Sequence, residues 1–218
     1  MEKIIYIYGA KGSGLKILEI LDAQNIIQHV GKTWKPIFID DDPSLGNNYF
    51  GVEVISYDKF KNDSFNKKFS ISISIGNPKI RSSIKDKLKL NDENFPNLIH
   101  PKCLISNNVK IGIGNVFCQN TTIQPGCVVG SFNIFNVNAV MGPLALVGDY
   151  NTINSHTMLA SESRLSNKVY IGMGAMLKQK ICVGDNCVIG ANTFLTKNLR
   201  NNQTISDRPK KIISKQTD

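Results

Sequence analysis

Between Cys103 and Asn198 a large apolar residue returns at every sixth position without an insertion, from Ile105, Ile111 and Phe117 to Val183, Ile189 and Leu195. Cut into sixes, the stretch gives sixteen hexads whose third position is always of this kind. The fourth position is glycine at 112, 130, 142, 148, 172, 184 and 190, and otherwise mostly small or polar. A period of six is neither the 3.6 of a helix nor the 2 of a strand, and a single strand of this length has no place in a compact domain. A coil of short strands and tight turns fits it. One side chain per strand then points to a shared axis, and the permissive residue beside it relieves crowding at the corner.

The first hundred residues follow a different rhythm. Lys3–Tyr8 (KIIYIY) reads as a strand, Gly9–Gly14 (GAKGSG) as a glycine turn, and the apolar positions 15, 17, 18, 20 and 21 as one face of a helix. Such a turn lets backbone N–H groups approach an anionic ligand, and it serves packing alone equally well. A second strand, Pro36–Ile39, ends in Asp40, Asp41 and Asp42. Acids there accept hydrogen bonds from a ribose or base, or simply cap the turn at Asp42-Pro43. A third strand, Phe69–Ile75, leads through Gly76-Asn77 into a helix over Pro78–Leu90, and Asn94–Ile99 reads as a last strand or linker. Three strand–turn–helix units make a small parallel sheet with its ligand groups at the carboxyl edge.

The 218 residues are 41% hydrophobic, enough for a real core, with no apolar run near 18 residues and no basic-then-apolar leader. No membrane insertion and a cytoplasmic location are expected. The net charge of +9 is scattered, without lysines interleaved among exposed aromatics, so a polyanionic small molecule is a sufficient partner and no nucleic acid is expected. Five cysteines without a CxxC pair read as reduced packing residues, and three histidines are too few for a zinc site, so no metal is expected.

Five motifs in order, GAKGSG, the acidic turn after IFI, SIGNPKIR, NLIHPKC and the hexad run, resemble the bacterial nucleotide-sugar acetyltransferases of the sialic-acid and bacillosamine type. The resemblance implies an α/β, Rossmann-like N-terminal domain over residues 1–98 that holds a nucleotide-linked amino sugar. It implies a left-handed parallel β-helix with a tail over 99–218, three hexads to a coil, binding acetyl-CoA between subunits of a homotrimer. Surface-glycan biosynthesis is the implied setting. Position by position, the nucleotide-sugar contacts fall on Gly9, Ala10, Lys11, Gly12, Ser13, Gly14, Asp40, Asp41, Ile75, Gly76, Asn77 and Arg81. The chain departs from the usual glycine turn, GASGHG, at Lys11 and at Ser13, where histidine is usual.

The family's general base is a histidine in a segment of the form Asn-x-x-x-x-Ile-x-His-(Asp/Glu)-x-x-Ile-Gly. Here Asn136 opens the segment, Pro143 takes the histidine's place, Leu144 that of the carboxylate, and Thr152 that of a second histidine. His29 reads as a loop residue and His100 as part of the junction to the coil. His156 lies thirteen residues past Pro143, at the sixth hexad position rather than the fifth, and so at another corner of the triangle. His156 and Asn136 are the catalytic candidates. General-base help is typically worth about 10²–10⁴-fold to a hydroxyl nucleophile. An amine with a pKa near ~8 is already partly neutral at pH 7–8, so the missing base favours N-acylation. An O-acetyltransferase using His156 or a substrate group as base, and a non-catalytic nucleotide-sugar-binding homologue, are the alternatives.

For the coenzyme, the resemblance points to Pro143, Ser161, the turn Gly172-Met173-Gly174, and Gly190-Ala191. In the closing segment it points to Arg208, Lys210 and Lys211 as partners for coenzyme A phosphates.

Overall fold

The structure is a computed structural model that describes residues 3–27, 33–63 and 68–206. His29, Arg208, Lys210 and Lys211 lie outside the described residues.

The N-terminal domain runs β1 (Lys3–Tyr8), α1 (Ser13–Ile27), β2 (Trp34–Ile39), β3 (Asn48–Tyr49), β4 (Val52–Ile55), α2 (Tyr57–Asp63), β5 (Ser70–Ile73) and α3 (Pro78–Leu88). Its sheet has the order β3-β4-β2-β1-β5, parallel except for the β3–β4 hairpin. Pro36 is tolerated inside β2 because β4 pairs only with Phe38 and Ile39, which leaves no carbonyl on that side waiting for the N–H that proline lacks. α3 stops at Leu88, earlier than the expected Leu90, where Lys89 turns left-handed. The hairpin and α2 were not expected. Its turn places Phe50 and Gly51 at positive φ (51° and 78°), the backbone of a tight two-residue hairpin.

The coil follows the hexads. Second and third positions form two-residue strands paired in parallel with the strand eighteen residues on, except the last, Thr204–Ile205, which pairs with Val188–Ile189 sixteen residues before it. Three flat faces result. The first runs from Leu104–Ile105 to Phe194–Leu195, the second from Lys110–Ile111 to Cys182–Val183, and the third from Leu98–Ile99 to Thr204–Ile205. This is the left-handed parallel β-helix expected. The third-position side chains form its core, with Phe117 and Phe135 stacked at 5.0 Å. First positions are inward too, and at the corner between second and third faces they build a buried amide ladder. Asn115, Asn133 and Asn151 each accept from a backbone N–H one coil away at 2.7–2.8 Å.

Fourth-position glycines do relieve crowding: a Cβ on Gly172 would stand 2.4 Å from the Ala191 nitrogen, backbone that cannot yield. Left-handed backbone, by contrast, falls on the sixth position, including Phe132, Leu144, Tyr150 and His156. There the N–H reaches back to a fifth-position carbonyl one coil earlier, as from Leu144 to Pro125 and from His156 to Val137. A ladder bond at every corner offsets a backbone cost of about 1–2 kcal/mol.

The N-terminal domain sits on the third face. α1 and one side of its sheet share a core with Val116, Cys118 and Ile134, while α2, α3 and the other side pack with Phe95 and Phe132. The third-face strands beyond Thr152 are left uncovered, and there Tyr170 and Val188 stand exposed.

Candidate active site

The carboxyl edge of the parallel sheet gathers most of the expected sugar-binding residues. Gly9 leaves β1 at φ 95°, and a Cβ on Gly14 would fall 2.3 Å from the Gly9 carbonyl, so the turn closes only with glycine there. Asp40, at the end of β2, accepts from the Ala10 and Asp42 N–H groups at 2.9 and 3.1 Å. Asp41 accepts from the Tyr57 N–H at the start of α2 at 2.9 Å. Lys11 pairs with Asp42, which holds that carboxyl well below the usual range. Ser13 opens α1 beside Gly76, and Asn77 caps α3 by accepting from the Lys79 and Ile80 N–H groups. Ile75, Gly76 and Asn77 follow β5 after Ser74.

Arg81 is a correction. It is 1% exposed, and its guanidinium is taken up by oxygens of the protein itself. Its Nε donates to Phe132 O, its Nη1 to Ile75 O and Thr152 Oγ1, and its Nη2 to Tyr150 O, Asn151 O and Thr152 Oγ1. The Thr152 hydroxyl passes the chain on to Gly76 O at 2.7 Å. Desolvation lowers the Arg81 pKa to about 9, so the guanidinium stays charged at neutral pH. It is a strut fastening the N-terminal domain to the second-to-third corner of the coil.

Below the carboxyl edge, two clefts share Tyr170 and Val188 as floor and so form one trough along the third face. One end, about 570 Å³, is lined by Gly76, Asn77, Lys79, Lys168 and Asn186. The other, about 370 Å³, is lined by Lys16, Asn154, Ser155, Gly172, Met173, Gly190 and Ala191. Four of the expected coenzyme residues therefore meet at this end, with Gly174 next at the third-to-first corner. Pro143 and Ser161 do not join them. They stack at the first-to-second corner, one triangle side away, on the order of 15–20 Å at ~3.3 Å per residue.

Asn136 is buried one coil below Asn154, behind the Gly172 end, and Lys16 from α1 donates to its Oδ1 at 2.6 Å. His156 is exposed at the third-to-first corner, its Nε2 3.3 Å from Asn138 Nδ2, and within the chain it is remote from Pro143. His100 is buried at the junction, as expected. Its Nδ1 accepts from the Lys102 N–H at 3.0 Å, and desolvation holds its pKa below the ordinary value.

Asn154 and Ser155 had a sequence signal that went unread, since they stand eighteen residues before Gly172 and Met173. Lys16 had none, because a lysine after a glycine turn looks like any solvated helix residue. Among the described residues no cluster of histidine, cysteine and acids has the form of a metal site, and no helix is long and apolar enough to cross a membrane.

An α/β domain presenting its carboxyl edge to a trough on a hexapeptide-repeat coil is the architecture of acetyltransferases of the left-handed β-helix type, and the chain has it throughout. Within it, residues 4–88 match the model of the family described as the PglD N-terminal domain. The acetyltransferase domain of PglB from Neisseria gonorrhoeae FA1090, solved in complex with acetyl coenzyme A, is similar over 98% of this chain and 100% of its own. The identity is 25% and the TM-score 0.84. WeeI from Acinetobacter baumannii AYE shares the fold at 23% identity and TM-score 0.79, over 98% of this chain and 100% of its own. PerB from Caulobacter crescentus, solved with CoA and GDP-perosamine, shares it at 21% identity and TM-score 0.79, over 92% of each chain. A comparison with curated protein sequences gives no match.

Proposed function

We propose that the chain transfers an acetyl group from acetyl-CoA to the amino group of a nucleotide-linked amino sugar in surface-glycan biosynthesis. The observation that carries the choice of an amine is the lining of the trough. Among the described residues it holds lysines, asparagines, a serine and a tyrosine, and neither histidine nor carboxylate. A hydroxyl acceptor needs a proton acceptor there; a neutral amine held in line with the thioester does not. The nucleotide lies along the Gly9–Gly14 turn, Asp40, Asp41 and Gly76-Asn77, and the coenzyme along Gly172–Gly174 and Gly190-Ala191. PerB, solved with CoA and GDP-perosamine, supports the pairing of ligands, and the PglB domain, solved with acetyl coenzyme A, supports the donor.

The reading also includes a homotrimer. The first face carries an outward stripe of Leu104, Val140, Met158, Met176 and Phe194, apolar surface that a second copy covers. Assembly is also what brings Pro143 and Ser161 of one subunit to the Gly172 end of another. In solution the particle should have three times the mass of the 24.1 kDa chain.

The test is turnover of acetyl-CoA with a panel of nucleotide-linked 3-amino and 4-amino sugars against their hydroxyl counterparts. Product should be followed by mass, because exposed Cys182 reacts with thiol reagents. Acetylated amines and untouched hydroxyl sugars are expected; acetylation of hydroxyls, or saturable sugar binding without turnover, overturns the proposal.

A further inference from the structure

We propose that Lys16 is a catalytic group of the trough, donating to the oxyanion that forms when the acceptor amine adds to the thioester carbonyl. The inference rests on the activity proposed above.

Lys16 is the fourth residue of α1, and the glycine turn before that helix aims the side chain at the third-to-first corner of the coil. Its Nζ donates to Asn136 Oδ1 at 2.6 Å. The orientation of that amide is fixed from behind, because Asn136 Nδ2 donates to Asn154 Oδ1 at 3.1 Å and Asn154 Nδ2 to Ile171 O at 2.7 Å. Both amide nitrogens in this chain donate to the coil, which leaves the Asn136 carbonyl facing the lysine. An ammonium has three donors. One goes to Asn136, and the others are available to the cleft that Lys16 lines with Gly172, Met173, Gly190 and Ala191. The charge is not neutralised: among the described residues no carboxylate lies within ion-pair distance of Lys16, whereas Lys11, Lys59, Lys61, Lys85 and Lys180 each have one. A tethered, half-buried cation without a counter-charge in a ligand cleft is poised for an anion.

The chemistry needs one. The amine lone pair forms the N–C bond while the carbonyl π pair moves onto oxygen. The oxygen pair then re-forms the carbonyl as the C–S bond breaks, and the surplus proton on nitrogen goes through solvent to the departing thiolate. Positive charge at the oxyanion lowers the barrier to both steps. The same charge disfavours an ammonium beside it, so more of the acceptor is neutral at a given pH. Lys16 thus supplies by fixed charge part of what a proton acceptor supplies elsewhere.

The experiment is steady-state kinetics of the full chain with acetyl-CoA and an accepted amino sugar, for wild type and for Lys16→Met, Lys16→Gln and Lys16→Arg. Trp34 fluorescence serves as the check on folding. Lys16→Met and Lys16→Gln should lose kcat by about 10²-fold or more, with KM for either substrate changed only a few-fold. The acid limb of kcat/KM should move to higher pH. Lys16→Arg should recover most of the rate. An unshifted pH profile with kcat within threefold of wild type, or a loss confined to KM, overturns the role of Lys16 while leaving the activity standing. A wild-type protein that acetylates no amine overturns the activity and this inference with it.

Discussion

Replacing Arg81 with Met should loosen the N-terminal domain from the coil without disturbing the coil itself. Met fills much of the volume but restores no donor. Three carbonyls, Phe132, Ile75 and Tyr150, then lose the guanidinium bonds, while Asn151 O keeps a donor in the Ile134 N–H. Each orphaned buried acceptor costs about 1–3 kcal/mol, and a partial refund comes from no longer burying a cation. The net loss should be about 3–5 kcal/mol. Trp34, the chain's one tryptophan, sits in β2, with its indole N–H on Gln24 at 3.0 Å, so its fluorescence reports on this domain alone. The coil carries no tryptophan, so its own transition is followed by amide hydrogen exchange across the same urea series. With a urea m-value of roughly 2 kcal/mol/M, the fluorescence midpoint of Arg81→Met should fall by about 2 M and separate from the midpoint of the coil amides. Coincident transitions within about 0.5 M of wild type, on the same m-value scale, would refute the strut.

Gly172→Ala drives a Cβ into the Ala191 nitrogen and Gly190 carbonyl carbon at 2.4 and 2.6 Å. Overpacking of about 1–3 kcal/mol should lower the melting temperature by roughly 3–10 °C. Gly76→Ala, whose Cβ would come no nearer than 3.8 Å to Ser13 Oγ, should leave it unchanged in the same melting scan. Burial pushes the Cys103 thiol up to about 11 and the Cys118 thiol to about 12. One fast-reacting thiol per folded chain, that of Cys182, is therefore expected at pH 8 by alkylation and peptide mass; a second of equal rate contradicts it. Desolvation lowers the His100 pKa beneath 6.5, so the unfolded chain binds that proton first and stability is lost as pH falls through about 6.5. His100→Gln should flatten denaturation midpoints between pH 7 and 5; curves parallel to wild type dismiss the effect.

The coil was legible because its signal is periodic and its chemistry coarse: any large apolar residue will do at each third position. The amide ladder through Asn115, Asn133 and Asn151 was not, since a buried asparagine and an exposed one look alike until the coil places eighteen residues in register. β1, β2, β5 and α3 showed in β-branched runs and a proline at a helix start. The hairpin at Asn48–Ile55 was hidden by Phe50, which occupies a left-handed turn position where Asn or Gly would have announced it. Arg81 was assigned to the nucleotide sugar by the resemblance alone, and only tertiary structure reveals five oxygens around it. The hydrogen bond of Lys16 to Asn136 joins residues 120 apart in sequence, a distance no local pattern spans.

Because every strand from Leu104–Ile105 to Phe194–Leu195 finds its partner eighteen residues away, the length of this rod is quantised. Deleting or duplicating one whole circuit changes how tall the molecule is and nothing about which way its surfaces look. Losing a single hexad ahead of Tyr170 would swing every later strand round by one side of the triangle, carrying Tyr170 and Val188 out from beneath the carboxyl edge. Lineages of this protein should therefore vary by eighteens above the N-terminal domain, or not at all.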